Sequence, residues 1–237
     1  MGDESIEPEI IVWQELRVPS EEPSDQWNSH FQPMIQALGH DESSWARIPE
    51  RPDTVLMATL WCSNSALKDF RDSPSAQLFW EDLGAKGISL LTSYESIYSG
   101  NWFQCLCRSY VQLFQVYFQA PITEEQEART YKVRGMCPAA LGPSVPRKHH
   151  ITRHLPEPVC TTQTEHLNGA QAQLVLWPHF WANAKKAEWR HTETYILSGS
   201  VAIGTQTIME KFIGNLKELG AIEWREEFCK FKRIPYL

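Results

Sequence analysis

His179, Glu15 and Tyr117 are the side chains whose types and strand positions could together move a proton. An imidazole titrates near neutral pH and can serve as general base or acid. A carboxylate can orient that ring or, raised by burial, act as an acid. A phenol can donate to a developing oxyanion. These three are the expected catalytic residues. Trp13, Trp61, Trp177, Trp181, Gln115, Tyr94 and Glu227 are the expected substrate-binding residues, with Glu223 in the row of Glu227. Aromatic walls enclosing a few polar groups suit a small-molecule site. On an epoxide, such a set would activate water or an internal hydroxyl and protonate the departing oxygen.

Other chemistries find less support. His149, His150 and His154 lie in a Pro- and Arg-rich stretch with no carboxylate or cysteine to complete a metal set, so no metal is expected. There is no P-loop, dinucleotide fingerprint or serine-nucleophile elbow, and no cofactor is expected. The formal charge of −7 and the lack of a basic stripe argue against nucleic acid. The acidic start MGDESIEPEI is no secretory signal, and no apolar run is long enough for a membrane span. The six cysteines have neither disulfide-framework nor zinc-finger spacing. They read as reduced thiols of a cytoplasmic protein.

The elements that must position these residues occur twice. Val55–Arg71, VLMATLWCSNSALKDFR, runs from an apolar strand through Trp61 to Ser63 and a helix. Leu174–Arg190, LVLWPHFWANAKKAEWR, does the same through Trp181 and Asn183. Ser63 and Asn183 stand where a side-chain oxygen would cap the first free backbone N–H groups. EIIVWQELRVP pairs likewise with YVQLFQVYFQAP, and FWEDLGAKG with FIGNLKELG. Three segments repeated in one order divide the chain into 1–100 and 101–237, with a Pro- and His-rich insertion at about 138–158 that could serve as a lid. Expected strands lie at about 9–18, 44–48, 55–61 and 88–98, then 110–119, 159–166, 171–181 and 223–233. Expected helices lie at 25–38, from Ser63 to about 83 with a break near Pro74, from Thr123, and at 184–191 and 205–219. Asn168-Gly169 reads as a hairpin turn.

Each half is then β-α-β-β-α-β, which gives an antiparallel sheet with helices on one face, the ferredoxin-like arrangement. The expected fold is α+β, two ferredoxin-like repeats whose antiparallel sheets pack as an intramolecular α+β barrel. Strand alternation assigns faces. Val12, Leu16, Phe114 and Phe118 should lie under the helices. Trp13, Glu15, Gln115 and Tyr117 should point the other way. In the third strand of each half, Leu56, Leu60, Leu176 and Phe180 are placed under the helices, and Met57, Thr59, Trp61, Trp177, His179 and Trp181 in the pocket.

The strand-Trp-x-Ser/Asn-helix elements around Trp61 and Trp181 resemble those of the dimeric α+β barrel superfamily, in particular fungal tandem-repeat proteins related to antibiotic biosynthesis monooxygenases. The resemblance covers nearly the whole chain outside 1–8 and 138–158. It implies a barrel that binds small molecules, often polyketides, and a cytoplasmic, cofactor-independent tailoring enzyme. Acid–base epoxide opening, by hydrolysis or cyclisation, is the leading expectation. The alternatives are cofactor-free oxygenation of an electron-rich phenol and a non-catalytic binding protein. The expected partner is a polyketide-like small molecule, with neither nucleic acid nor membrane, and the chain a monomer or homodimer.

Overall fold

The computed structural model describes residues 7–19, 27–98, 102–133, 135–136, 158–198 and 201–236. The chain separates into two compact units, Met1–Cys107 with Cys229–Leu237, and Arg108–Phe228. The expected insertion, with His149, His150 and His154, lies outside the described residues. No helix among the described residues is long and apolar enough to cross a membrane.

The first unit runs β1 (Ile10–Arg17), α1 (Trp27–His30), α2 (Gln32–Ile35), β2 (His40–Ile48), β3 (Arg51–Trp61), α3 (Asn64–Arg71), α4 (Pro74–Ala85), β4 (Ser89–Ile97) and α5 (Phe103–Leu106). The helix expected over 25–38 is two short helices. Pro33 brings no N–H and sits in the first turn of α2, where that loss costs least. Phe31 and Ile35 are buried as the spacing requires, but Leu38 is 95% exposed, because the chain has left the helix before it. Gly39 then takes φ +82°. A Cβ there would lie 2.4 Å from that of Ala66, so only glycine fits.

The second unit runs β5 (Tyr110–Gln119), α6 (Glu124–Thr130), β6 (Val159–Leu167), β7 (Ala170–Trp181), α7 (Ala184–Ala187) with a 3₁₀ turn to His191, β8 (Glu193–Ser198), β9 (Val201–Thr207), α8 (Ile208–Glu218) and β10 (Ala221–Cys229). The β8–β9 hairpin was not expected from the sequence. It occupies residues that had been assigned to the connection and to the start of the last helix. Asn168 and Gly169 both have positive φ, and they join β6 to β7. The last strand, expected as one element, is broken after Cys229. A short β11 (Lys232–Arg233) pairs instead with β2 of the first unit.

Both sheets are antiparallel and share an order. In the first unit it is β11-β2-β3-β1-β4, and in the second β10-β5-β7-β6. Taking β5, β6, β7 and β10 as counterparts of β1 to β4, the order is second-third-first-fourth in each. This is the antiparallel α+β arrangement that β-α-β-β-α-β connectivity produces. Ser63 Oγ accepts from Ala66 N at 3.1 Å, and Asn183 Oδ1 from Lys186 N at 3.0 Å, so both expected caps are present. Ser63→Ala is expected to cost about 1 kcal/mol, read as a lower midpoint in urea denaturation with unchanged slope.

His40 of β2 is buried edge-on against Trp61, with ring centroids 5.4 Å apart. Its Nε2 lies 2.6 Å from Ser43 Oγ. Burial pushes its pKa down to about 4 from 6.5. Between those values the unfolded chain takes up a proton that the folded chain refuses, so stability is full above about pH 6.5 and falls as pH drops toward about 4. A shift of that size corresponds to roughly 3 kcal/mol. Urea titrations across pH 4–7 should show that loss in the wild type, and His40→Gln should flatten the curve over the same window.

Candidate functional site

Cross-strand pairing decides which way each expected site residue points. On β5, Gln112, Phe114 and Val116 stand opposite His179, Trp177 and Val175 of β7, and Tyr110 opposite Trp181. Partners in an antiparallel pair share a face. Phe114, Val116, Phe118, Trp177 and Trp181 pack with Ala187 of α7 and with Ile208, Phe212 and Leu216 of α8. His179, Trp177 and Trp181 therefore lie on the helix-covered face, not in the row of Gln115 and Tyr117. The same holds in the first unit. Trp61 and Met57 join the core under α2, α3 and α4, and Trp61 is the partner of Ile10. The face assigned to the third strands was inverted. Both β3 and β7 are buried on both faces near their C-terminal ends, so an apolar row there does not mark the helix side.

His179 is fully buried, and protein groups meet both ring nitrogens. Nε2 accepts from the Met136 backbone N–H at 2.8 Å, and Nδ1 stands 3.1 Å from the Trp177 carbonyl. An acceptor at Nε2 and a carbonyl at Nδ1 fix the neutral ring with its proton on Nδ1. The ring stacks on Trp181 and meets the edge of Phe212. Glu15, expected to orient this imidazole, instead receives two hydrogen bonds from Arg51, at 3.0 and 3.2 Å. Trp13 and Tyr94 are cross-strand neighbours in the first unit, on the face away from its helices.

The expected residues that do come together are Gln115, Tyr117 and Glu227. They occupy the helix-free face of the second unit's sheet. Tyr117 is 1% exposed. Its hydroxyl lies 3.2 Å from Glu165 Oε1 and 3.4 Å from Gln115 Oε1, so one proton serves two acceptors. Gln115 Nε2 donates to Glu227 Oε2 at 3.1 Å, which orients the amide so that its oxygen faces the phenol. Arg225 closes the group. Its guanidinium carbon is 4.9 Å from the centre of the Tyr117 ring, and Nη1 is 3.4 Å from the phenol oxygen. Nη1 is also 3.7 Å from Glu165 Oε2, and Nε donates to Glu223 at 2.9 Å. Burial works against the guanidinium's charge, but Tyr117, Glu223 and Glu165 outweigh it, and its pKa is held above the usual arginine value.

Arg225 and Glu165 were missed in the sequence, although signals for both were there. Arg225 is two residues from Glu227 and from Glu223 on one strand, so it shares their face. The Asn168-Gly169 turn sets Leu167 against Ala170 and Glu165 against Ala172, and Ala172 stands opposite Gln119 in the row of Tyr117. The arrangement offers a carboxylate, a phenol and a fixed cation around one point. It can take a proton from a substrate and stabilise the oxyanion left behind. Among the described residues no three His, Cys, Asp or Glu side chains are grouped to hold a metal.

No family model matches the sequence, and neither does any curated protein. Solved structures do match in fold. An anthrone oxidase-like protein is 14% identical with a TM-score of 0.57, covering 100% of this chain and 98% of its own. Two proteins named as candidate monooxygenases, from Fusobacterium nucleatum subsp. nucleatum and Lactobacillus acidophilus, are 9% and 8% identical. Each has a TM-score of 0.54 and covers 97% of this chain and 95% of its own. At such identities the likeness shows the fold, and the site must speak for itself.

Proposed function

We propose that the chain is a cofactor-independent, polyketide-tailoring oxygenase acting on an electron-rich phenolic or anthrone-like small molecule. The observation that carries this reading is the buried Tyr117 phenol, held between the Glu165 carboxylate and the Arg225 guanidinium. A phenol or an activated methylene entering beside them would lose its proton to Glu165. The phenolate or enolate oxygen would then be held by the Tyr117 hydroxyl and Arg225, charge-assisted partners stronger than neutral ones. The electron-rich carbanion reduces dioxygen, and the two join as a peroxide at that carbon. Loss of water leaves a carbonyl, with one oxygen atom of dioxygen in the product and the other in water. The substrate supplies all the electrons. Fold neighbours named as monooxygenase and anthrone oxidase-like lend this chemistry support by analogy.

A second reading keeps epoxide opening, because the same phenol and carboxylate form an acid–base pair. Tyr117 would protonate the epoxide oxygen while Glu165 activates water or an internal hydroxyl. Isotopes separate the two. With anthrone as substrate under ¹⁸O₂, the oxygenase reading expects one labelled oxygen in the quinone product. With a polyene epoxide in ¹⁸O-water, label in a diol supports hydrolysis, and an unlabelled cyclic ether supports internal attack. Failure to consume either substrate would leave only a binding function. Glu165→Gln is expected to slow turnover by roughly 10²- to 10⁴-fold in either chemistry, since it removes the base.

A further inference from the structure

On the helix side of the second unit a cavity of about 540 Å³ opens between α6 and α8. Glu125, Arg129 and Lys132 reach it from one stripe of α6 and the turn after it, and Asn215 and Glu218 from one stripe of α8. Val133 and Leu219, both half-buried, give it an apolar part. The two helices run in opposite directions. They return from β5 and β7, which are antiparallel. Gln126 Nε2 donates to the Leu219 carbonyl at 3.0 Å, so the C-terminal end of α8 lies beside the start of α6. Glu218 is therefore level with Glu125, and Asn215 stands one turn further along, toward Arg129 and Lys132. The cavity has an acidic end and a basic end. At a rise of 1.5 Å per residue, Arg129 lies roughly 6 Å and Lys132 roughly 10 Å along the axis from Glu125. None of these four charges makes an ion pair with any described residue. Lys217, the cation next to Glu218 in sequence, lies over the Trp224 ring instead. Glu218 also stands in the last turn of α8, where the helix dipole disfavours a carboxylate.

We infer that the groove between α6 and α8 is a second binding site, one that takes a peptide of two or three residues with free ends. Its volume falls in the range of small-ligand sites. Two carboxylates at one end would repel a phosphate or another anion, and two cations at the other would repel a polyamine. A ligand that satisfies both ends carries an ammonium and a carboxylate. Their separation must match the roughly 6–10 Å between the ends, which two to three extended residues span at about 3.5 Å each. A single amino acid is too short. The peptide's ammonium lies between Glu125 and Glu218, where the α8 dipole adds to the attraction, and its carboxylate meets Arg129 and Lys132. Asn215, between the ends, can both donate to and accept from the peptide bond. Val133 and Leu219 take apolar side chains. This site lies on the outer, helix side of the sheet and does not depend on the role given to Tyr117.

The test titrates the full chain with leucyl-leucine, with its N-acetyl form and with its C-terminal amide, followed by calorimetry. The free dipeptide should bind, and capping either end should weaken it by about fivefold, the upper end of what an exposed ion pair gives. Added salt should weaken the free dipeptide more than either capped form. Glu218→Gln should weaken the free dipeptide and the amide by the same factor and leave the N-acetyl form unchanged. Lys132→Gln should weaken the free dipeptide and the N-acetyl form and leave the amide unchanged. Both residues are exposed, so the variants should fold, and Glu218→Gln should keep or raise the midpoint of urea denaturation. Tyr117→Phe should bind all three probes as the wild type does, which separates this site from the one around the phenol. Three outcomes overturn the inference. These are no saturable binding of leucyl-leucine up to its solubility, capped forms that bind as well as the free dipeptide, or variants that weaken all three probes equally.

Discussion

Tyr117→Phe is expected to lower kcat by about 10²- to 10³-fold, the usual effect of removing one donor from a preorganised oxyanion site. The ring remains, and with it the stacking of the Arg225 guanidinium at 4.9 Å, so fold and substrate docking should persist. KM should change much less than kcat, because the hydroxyl matters most when charge develops on the substrate oxygen. Steady-state kinetics on anthrone, with oxygen uptake as the readout, would measure this. A variant with unchanged kcat would remove Tyr117 from the chemistry and leave the Glu165–Arg225 pair as a structural ion contact. Arg225→Lys is a useful companion. A lysine keeps the charge but not the planar group that spans Tyr117, Glu165 and Glu223.

Phe212→Ala is expected to destabilise the second unit by about 3–5 kcal/mol. Phe212 of α8 is buried, and three rings close on it. Phe114 lies at 5.2 Å, His179 at 5.6 Å and Trp177 at 5.9 Å, all edge-on. Removing it takes away both apolar burial and these ring contacts. The cavity left would be lined by rings tied elsewhere, His179 by the Met136 N–H and the Trp177 carbonyl. Such a lining collapses little, which places the cost toward the upper part of the range. Urea denaturation should show a large drop in midpoint. A change under 1 kcal/mol would mean that the helix-side core is loosely packed.

These two residues mark what could and could not be read in advance. Tyr117 was placed on the helix-free side from the alternation of β5, where apolar Phe114 and Phe118 fall on the other parity. Alternation carries information when the two rows of a strand differ in character, as they do there. It carries none in Val55–Trp61 or Leu174–Trp181, where both rows are largely apolar. In those strands the repeat correctly matched Trp61 to Trp181 but could not say which face the pair took. Their partners, Ile10 and Tyr110, decide it. His179 moved from candidate base to hydrogen-bonded core residue for this reason alone.

By itself the sequence determined the strand-cap-helix elements, because caps and turns are local. Ser63, Asn183, Thr123 and the Asn168-Gly169 turn all act within a few residues of where they stand. It also determined the α+β class, since β-α-β-β-α-β order leaves few antiparallel solutions. Only the tertiary structure decided the split of the α1–α2 segment, the β8–β9 hairpin and the pairing of β11 with β2, each of which rests on contacts or breaks that periodicity does not encode. It alone decided the composition of the candidate site as well. Gln115, Tyr117, Glu165, Arg225 and Glu227 come from three strands, and what joins them is register across the sheet. Register is a long-range property, fixed by which strand pairs with which, and no local pattern of residues carries it.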